Sequence, residues 1–324
     1  RGLGDVYKRQ LMIKEEFYFD SRDGENRIHA VRYTPDDGNV RGIVQIVHGM
    51  AEYVERYENL AEFLTKRGIL VTGEDHLGHG KSVSEGGSFG YFCEQDPATV
   101  VVRDVHRLKK ITEEQYPQVP YIILGHSMGS FIARNYLCRY GSGIGGAVIV
   151  GTGMQPAGLI FASKAMAGIQ KLFCGSKHVS HFIDKAAFGG YNKRIDSPRT
   201  SSDWLSRNTE NVDRYIEDEL CGFTFTVNGF QTLFELIRRL QKQENLEKVP
   251  QNLPILMVSG AEDPVGDYGK GVHKACDSLK RAGVKNITVK LYENDRHELL
   301  NEDDAEVAME DIWQWICKEI PGIA

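Results

Sequence analysis

Two rhythms of apolar positions alternate along this 324-residue chain. Short, mostly apolar runs rich in β-branched residues stand at residues 42–47, 69–72, 121–124, 146–150 and 254–259, and residues 286–292 complete the pattern as a further strand. Such runs are the pattern of strands buried on both faces. Between them, apolar residues recur three and four apart, as on amphipathic helices. The helical stretches are residues 57–67, with Leu60, Ala61 and Leu64 on one face and Gly68 placed to end it, residues 98–116 before Pro117, the segment from Phe131, and residues 304–318. Residues 15–19 and 27–33 read as two edge strands joined by a turn at Gly24. Alternation of this kind predicts an α/β fold, a mostly parallel central sheet flanked by helices on both faces.

The alternation stops between Gly153 and Pro250. Helical patterns at residues 158–173, 203–207, 212–219 and 229–242 fill this stretch, with no buried-strand pattern. It is expected to be a helical cap, residues 153–250, inserted after the sixth main strand into a core formed by residues 12–152 and 251–324. The opening R-G-L-G-D-V-Y-K-R-Q lacks the apolar centre of a signal peptide. Residues 5–10 resemble the translation of a transposon end used in sequencing-library preparation, so residues 1–11 are expected to be a non-native leader before Met12.

Composition narrows the function classes. A hydrophobic content of 41% and a charged content of 26% are ordinary for a globular domain. A net charge of -6 argues against a nucleic-acid binder. No apolar run reaches the roughly 18 residues needed to cross a bilayer; the greasiest stretch is broken by Ser163, Lys164 and Gln170. Six cysteines without C-x-x-C spacing read as free core thiols in a reducing compartment, which points to the cytoplasm.

The chemistry concentrates at the ends of the apolar runs. Y-I-I-L-G-H-S-M-G-S-F-I places Ser127 between Gly125 and Gly129, where a buried strand gives way to a helix. So tight a turn leaves almost no room for a Cβ two residues before or after the serine, and glycine meets that demand. The arrangement holds the hydroxyl above the sheet and aims the Met128 amide at a developing negative charge. A serine hydroxyl needs a base, and the base needs an orienting acid. G-A-E-D-P-V-G places Asp263 just past one late strand, and E-N-D-R-H-E places His297 just past the last. Glu262 and Asp267 are rival acids, with Asp267 expected to cap the following helix; Asp295 is expected to shape the turn before His297. A second oxyanion donor is expected from H-G-M-A-E, where Gly49 lets the Met50 amide face Ser127 and His48 braces the loop by hydrogen bonding. His126 is expected to point away from substrate, and His29 and His273 to be structural or exposed. Asp75, His76 and His79, like His178 and His181, are weak as metal ligands because chemistry built on a serine, a base and an acid needs no metal; no metal and no cofactor are expected.

These blocks, H-G-M-A-E-Y-V-E-R-Y, D-H-L-G-H-G-K-S, G-H-S-M-G-S, G-A-E-D-P-V-G and His297, resemble the α/β-hydrolase fold and, more narrowly, the monoacylglycerol lipase and lysophospholipase group often filed with serine aminopeptidases. The resemblance covers nearly the whole chain from about Phe17 and is weakest in the insertion. It implies Ser127 as nucleophile, Asp263 as acid, His297 as base and the Met50 and Met128 amides as oxyanion donors. Ser130 stands where many relatives carry glycine and is expected to matter little. The implied activity is hydrolysis of carboxylic esters of lipid-like substrates through an acyl-enzyme. Two alternatives stay open: an aminopeptidase of the same fold, for which Glu52 and Glu262 could form the anionic pocket, and a ligand-binding homologue without turnover. The partner is a small acyl ester; an exposed subset of apolar cap residues is expected to touch lipid or micelle surfaces transiently. No oligomeric state is read from the chain.

Overall fold

The apolar runs pair edge to edge into one eight-stranded sheet in the computed structural model, which describes residues 12–323. The leader expected over residues 1–11 lies outside the described residues. Strands β1 (Met12–Asp20), β2 (Arg27–Pro35), β3 (Gly42–Val47), β4 (Ile69–Glu74), β5 (Tyr121–His126), β6 (Gly146–Val150), β7 (Ile255–Gly260) and β8 (Ile287–Tyr292) stand in the order β1-β2-β4-β3-β5-β6-β7-β8. β1 pairs antiparallel with β2, and β2 with β4; every other pairing is parallel. β2 is therefore internal, not an edge strand. Both of its faces are buried, Ile28 and Ala30 in one core layer and Val31 and Tyr33 in the other.

Helices α1 (Glu58–Thr65), α2 (Pro97–Gln115), α3 (Met128–Tyr140), α4 (Ala157–Cys174), α5 (His181–Phe188), α6 (Thr209–Glu217), α7 (Val227–Leu240), α8 (Gln243–Leu246), α9 (Lys270–Arg281) and α10 (Ala305–Glu319) fill the connections. Every residue of β3, β4, β5, β6 and β7 is buried, as expected for strands covered on both faces. Successive side chains feed opposite layers. Ile43, Val47, Tyr121 and Ile123 join the layer containing residues of α2, α3, α7 and α9. Val44, Ile46, Ile122 and Leu124 join the layer formed with α1 and α10.

Helices α4 to α8 lie between β6 and β7, where the insertion was expected. The helix α5 was not anticipated: H-F-I-D-K-A-A-F has only a weak apolar stripe, but Ser180 caps it by accepting from the Ile183 amide. Residues 203–205 form a single 3-10 turn in place of the expected helix. α7 buries ten of its residues and packs on α3, α2 and α4. The cysteines are all free, but not all in the core: Cys93, Cys221 and Cys276 are buried, Cys138 and Cys317 half-buried, and Cys174 exposed. Among the described residues, no helix is long and apolar enough to cross a membrane.

Candidate active site

The turn from β5 into α3 is as tight as its glycines demand. A Cβ on Gly125 would stand 2.4 Å from the Gly129 carbonyl oxygen, and one on Gly129 would stand 1.9 Å from that of Val47. Both are impossible contacts, so only glycine serves at either position. Ser127 between them has φ 54° and ψ -122°, a strained conformation for a side-chain-bearing residue. Its amide donates to the Val150 carbonyl at 3.0 Å, tying the turn to the end of β6. Ser130, expected to matter little, is fully buried; its hydroxyl lies 2.6 Å from the Ser127 carbonyl oxygen and 2.8 Å from Thr152 Oγ1.

Asp263 and His297 meet in the same region. His297 Nδ1 donates to Asp263 Oδ2 at 2.9 Å, and both residues are buried. Asp263 is fixed in turn by the Val265 amide on Oδ1 at 2.8 Å and by Ser259 Oγ near Oδ2 at 3.2 Å. The His297 ring packs on Gly151, the residue after Val150; a Cβ there would lie 3.2 Å from both Nδ1 and Cε1. Adjacent residues at the end of β6 thus carry the Ser127 amide and the His297 ring. Trp204 also packs on the His297 ring, with ring centroids 5.1 Å apart. Trp204 was not singled out from the sequence, since it sits in the insertion 93 positions from its partner and no local pattern marks it.

The rival acids lie elsewhere. Glu262 and Asp267 are exposed. Asp267 does not cap α9, whose N-cap position is Gly269 without a side-chain cap; instead Asp267 takes a left-handed conformation, φ 48°, in the turn closed by the Tyr268 amide on the Asp263 carbonyl. Asp295 is buried beside Arg207, and its carbonyl accepts from the Glu262 amide at 2.9 Å. Burial first, then Asp304, pushes its carboxyl up to about 6.

The loop after β3 approaches from the other side. A Cβ on Gly49 would stand 3.1 Å from Ser127 Cβ, and the Gly49 amide donates to Glu52 Oε1 at 2.5 Å. His48 Nδ1–H donates to the Gly49 carbonyl at 2.8 Å, and its Nε2 accepts from the His76 amide at 3.0 Å. Burial depresses the His48 pKa, which suits that neutral tautomer. His76 stacks on His48 at 4.0 Å, and His79 packs among Phe92, Phe223 and Phe225. Burial also depresses His76, and lowers His79 to about 3. The D-H-L-G-H-G block is thus a floor under the loop. Asp75 belongs to that floor: it accepts from His29 Nδ1 at 2.8 Å and from the Val54 and Lys81 amides, each at 2.9 Å. His29 is fully buried, although a strand-edge position was expected for it. Among the described residues, Glu16, His29 and Glu55 bring three donor atoms within 4.8 Å of one another, but Lys14 and Lys81 already pair with those carboxylates.

A cavity of about 250 Å³ opens beside Trp204, lined by Tyr191, Arg194, Arg207, Glu262, Tyr268 and Arg296 among others. Trp204 therefore borders the cavity and rests on the His297 imidazole.

The family model described as serine aminopeptidase, S33, matches residues 38–304. A monoglyceride lipase of Rattus norvegicus is 29% identical over 273 residues, covering 84% of this chain and 80% of that protein. A monoacylglycerol lipase of Mycolicibacterium smegmatis is 27% identical over 289 residues, 89% of this chain and 92% of that protein. A thermostable carboxyl esterase from Bacillus coagulans, solved in complex with glycerol, aligns with a TM-score of 0.89 and 31% identity over 97% of this chain and 100% of that one. With its sheet order and the strained serine turn, the chain belongs to the serine aminopeptidase (S33) family of α/β hydrolases.

Proposed function

We propose that this protein is a serine carboxylic-ester hydrolase acting on monoacylglycerols or closely related lipid esters, with Ser127 as nucleophile, His297 as base and Asp263 as the orienting acid. The observation that carries the reading is the buried Asp263–His297 hydrogen bond of 2.9 Å, in a region where Val150, the last residue of β6, holds the Ser127 amide and Gly151 after it packs on the His297 ring. With Nδ1–H committed to Asp263, Nε2 of His297 is the free base that takes the Ser127 proton as the hydroxyl attacks the ester carbonyl. The alcohol leaves with that proton, and water repeats the attack on the acyl-enzyme. The Met128 amide, in the first turn of α3, has no partner four residues earlier within the helix. With the Met50 amide, next to the anchored Gly49, it is the proposed donor pair for the oxyanion.

The ester class is favoured by the relatives named above and by the polar surroundings of Trp204. A peptidase needs an anionic pocket for the substrate ammonium. Glu52 is buried and already bound by Arg56 and the Gly49 amide. Glu262 shares its cavity with Arg194, Arg207 and Arg296, which repel an ammonium group. Residues 153–250 act as a cap over the core. Phe161, Leu172, Phe173 and Phe182 on α4 and α5, 78%, 84%, 85% and 66% exposed, are the surface proposed to meet a micelle or bilayer transiently. The free cysteines favour a reducing compartment such as the cytoplasm.

The test is labelling by a fluorophosphonate probe together with hydrolysis of a monoacylglycerol and of an aminoacyl anilide. Ser127→Ala is expected to abolish labelling and to lower monoacylglycerol turnover by roughly 10⁴-fold or more. Labelling that survives the substitution, or faster cleavage of the anilide than of the ester, overturns the reading.

A further inference from the structure

The His126 side chain, one residue before Ser127, lies in a buried network that the proposed chemistry does not use. Its Nδ1 is 2.8 Å from the Tyr57 hydroxyl oxygen and 3.3 Å from Glu52 Oε1. Its Nε2 is 3.1 Å from the backbone carbonyl oxygen of His297. The Tyr57 hydroxyl also lies 2.8 Å from Glu52 Oε1, a carboxylate oxygen that only accepts. Tyr57 has one proton, and it must go to the carboxylate, since otherwise two oxygens would face each other bare. Towards His126 the Tyr57 oxygen therefore accepts, and Nδ1 must carry a hydrogen. Nε2 faces a carbonyl, which also only accepts, so it must carry a hydrogen too. An imidazole with hydrogen on both nitrogens is a cation.

We infer that His126 is a permanently protonated clamp, joining the Glu52-anchored oxyanion loop to the backbone of His297 and positioning both for catalysis. Glu52 is the counter-ion: Oε1 takes the Gly49 amide and the Tyr57 hydroxyl, and Oε2 takes Arg56 Nη1 at 2.8 Å. Arg56 reaches on to Glu298, with Nη1 and Nη2 each 2.8 Å from a carboxylate oxygen. Glu298 follows His297 and also accepts from Asn211 of α6 at 2.6 Å. One charge-alternating chain, His126, Glu52, Arg56, Glu298, therefore begins and ends on the His297 segment and passes through the loop that holds Gly49. The groups facing His126 are Glu52, Tyr57 and, more distantly, Arg56 and His48 from the β3 side, and His297 and Glu298 from the β8 side. Burial disfavours the His126 cation, but Glu52 outweighs it and the net direction is up. The His126 and His297 rings stand 4.8 Å apart.

This inference rests on His297 being the base, and its test separates the two. In the first measurement, the wild-type protein with isotope-labelled histidine is titrated by NMR, which needs no turnover. His126 is expected to keep the shifts of a doubly protonated ring at pH values about one unit or more above the ordinary histidine pKa of roughly 6.5. Glu52→Gln keeps an oxygen for the Gly49 amide but removes the counter-ion, and is expected to return the His126 resonance to the neutral form at neutral pH. In the second, His126→Gln is expected to lower kcat about tenfold or more with KM little changed. A neutral His126 in the wild-type protein overturns the inference even if the variant fails to fold. So does an unchanged kcat in a folded His126→Gln protein. Loss of the catalytic reading itself would show separately, as turnover that survives Ser127→Ala.

Discussion

The ends of β5, β6 and β7 and the outer side of α4 follow opposite rules within one chain. At the sheet ends, buried polar side chains are held by hydrogen bonds: Asp263 is 0% exposed and holds His297, Val265 and Ser259 around it. On α4 the hydrocarbon is what lies outside, with Phe173 85% exposed and only Ile160 and Ala167 of eighteen residues buried. A buried polar atom without a partner is costly, so the sheet-end geometry is over-determined. Exposed hydrocarbon imposes no geometry, and its surface is left for something outside the chain. In the proposed function the first region fixes the reacting centre and the second meets an apolar substrate phase.

Three experiments sharpen or break this contrast. The largest effect is expected from Asp263→Asn, which leaves the shape but reverses the tautomer of His297. Steady-state kinetics on a short, water-soluble p-nitrophenyl ester should show kcat reduced by roughly 10⁴-fold with KM little changed. Activity within tenfold of the parent protein would mean that Asp263 does not orient the base. Replacing Phe161, Leu172 and Phe173 together by serine should leave that soluble-ester activity intact. It should lower flotation with phosphatidylcholine vesicles and turnover of vesicle-borne monoacylglycerol about tenfold or more, since each side chain contributes on the order of 1 kcal/mol when partly buried in lipid. Equal losses on both substrates would erase the distinction between the two regions.

The smallest effect concerns stability in the core. Burial first, then the nearby Asp104 charge, pushes the Glu74 carboxyl up to about 8; burial pushes Asp104 up to about 7. Both folded values lie above the unfolded ones, near 4. Their contribution to stability is therefore full below about pH 4 and is lost as pH rises towards 7 to 8. Melting temperature is expected to fall across that window, and Glu74→Gln, whose amide oxygen can still accept from Gln45 Nε2, should flatten the fall. An equally steep decline in the variant would place its cause in other groups.

Much of the core was legible because its signals are local. Five apolar runs became the parallel strands β3 to β7, since burial on both faces leaves a nearly continuous hydrophobic run that few other structures tolerate. Ser127, Gly125 and Gly129 announced a tight turn because only glycine fits where a Cβ would strike a carbonyl at 1.9 or 2.4 Å. β2 was taken for an edge strand because the antiparallel cover of β1 is a pairing choice that its own pattern does not record. α5 escaped because eight residues offer little periodicity, and the capping by Ser180 is a single hydrogen bond.

The sequence by itself determined the mostly parallel sheet of the core, the helices that flank it, and the turn that strains Ser127. Each depends on hydrophobic spacing or on steric limits within a few residues. Only the tertiary structure decided that Asp263, and not Glu262 or Asp267, reaches His297, that Trp204 covers its ring, and that Glu52, Arg56, Glu298 and His126 close into one buried chain. Those pairings join residues as far as 242 positions apart. Charge and ring contacts act over a few ångströms in space, and the distance along the polymer between two partners carries no record of them.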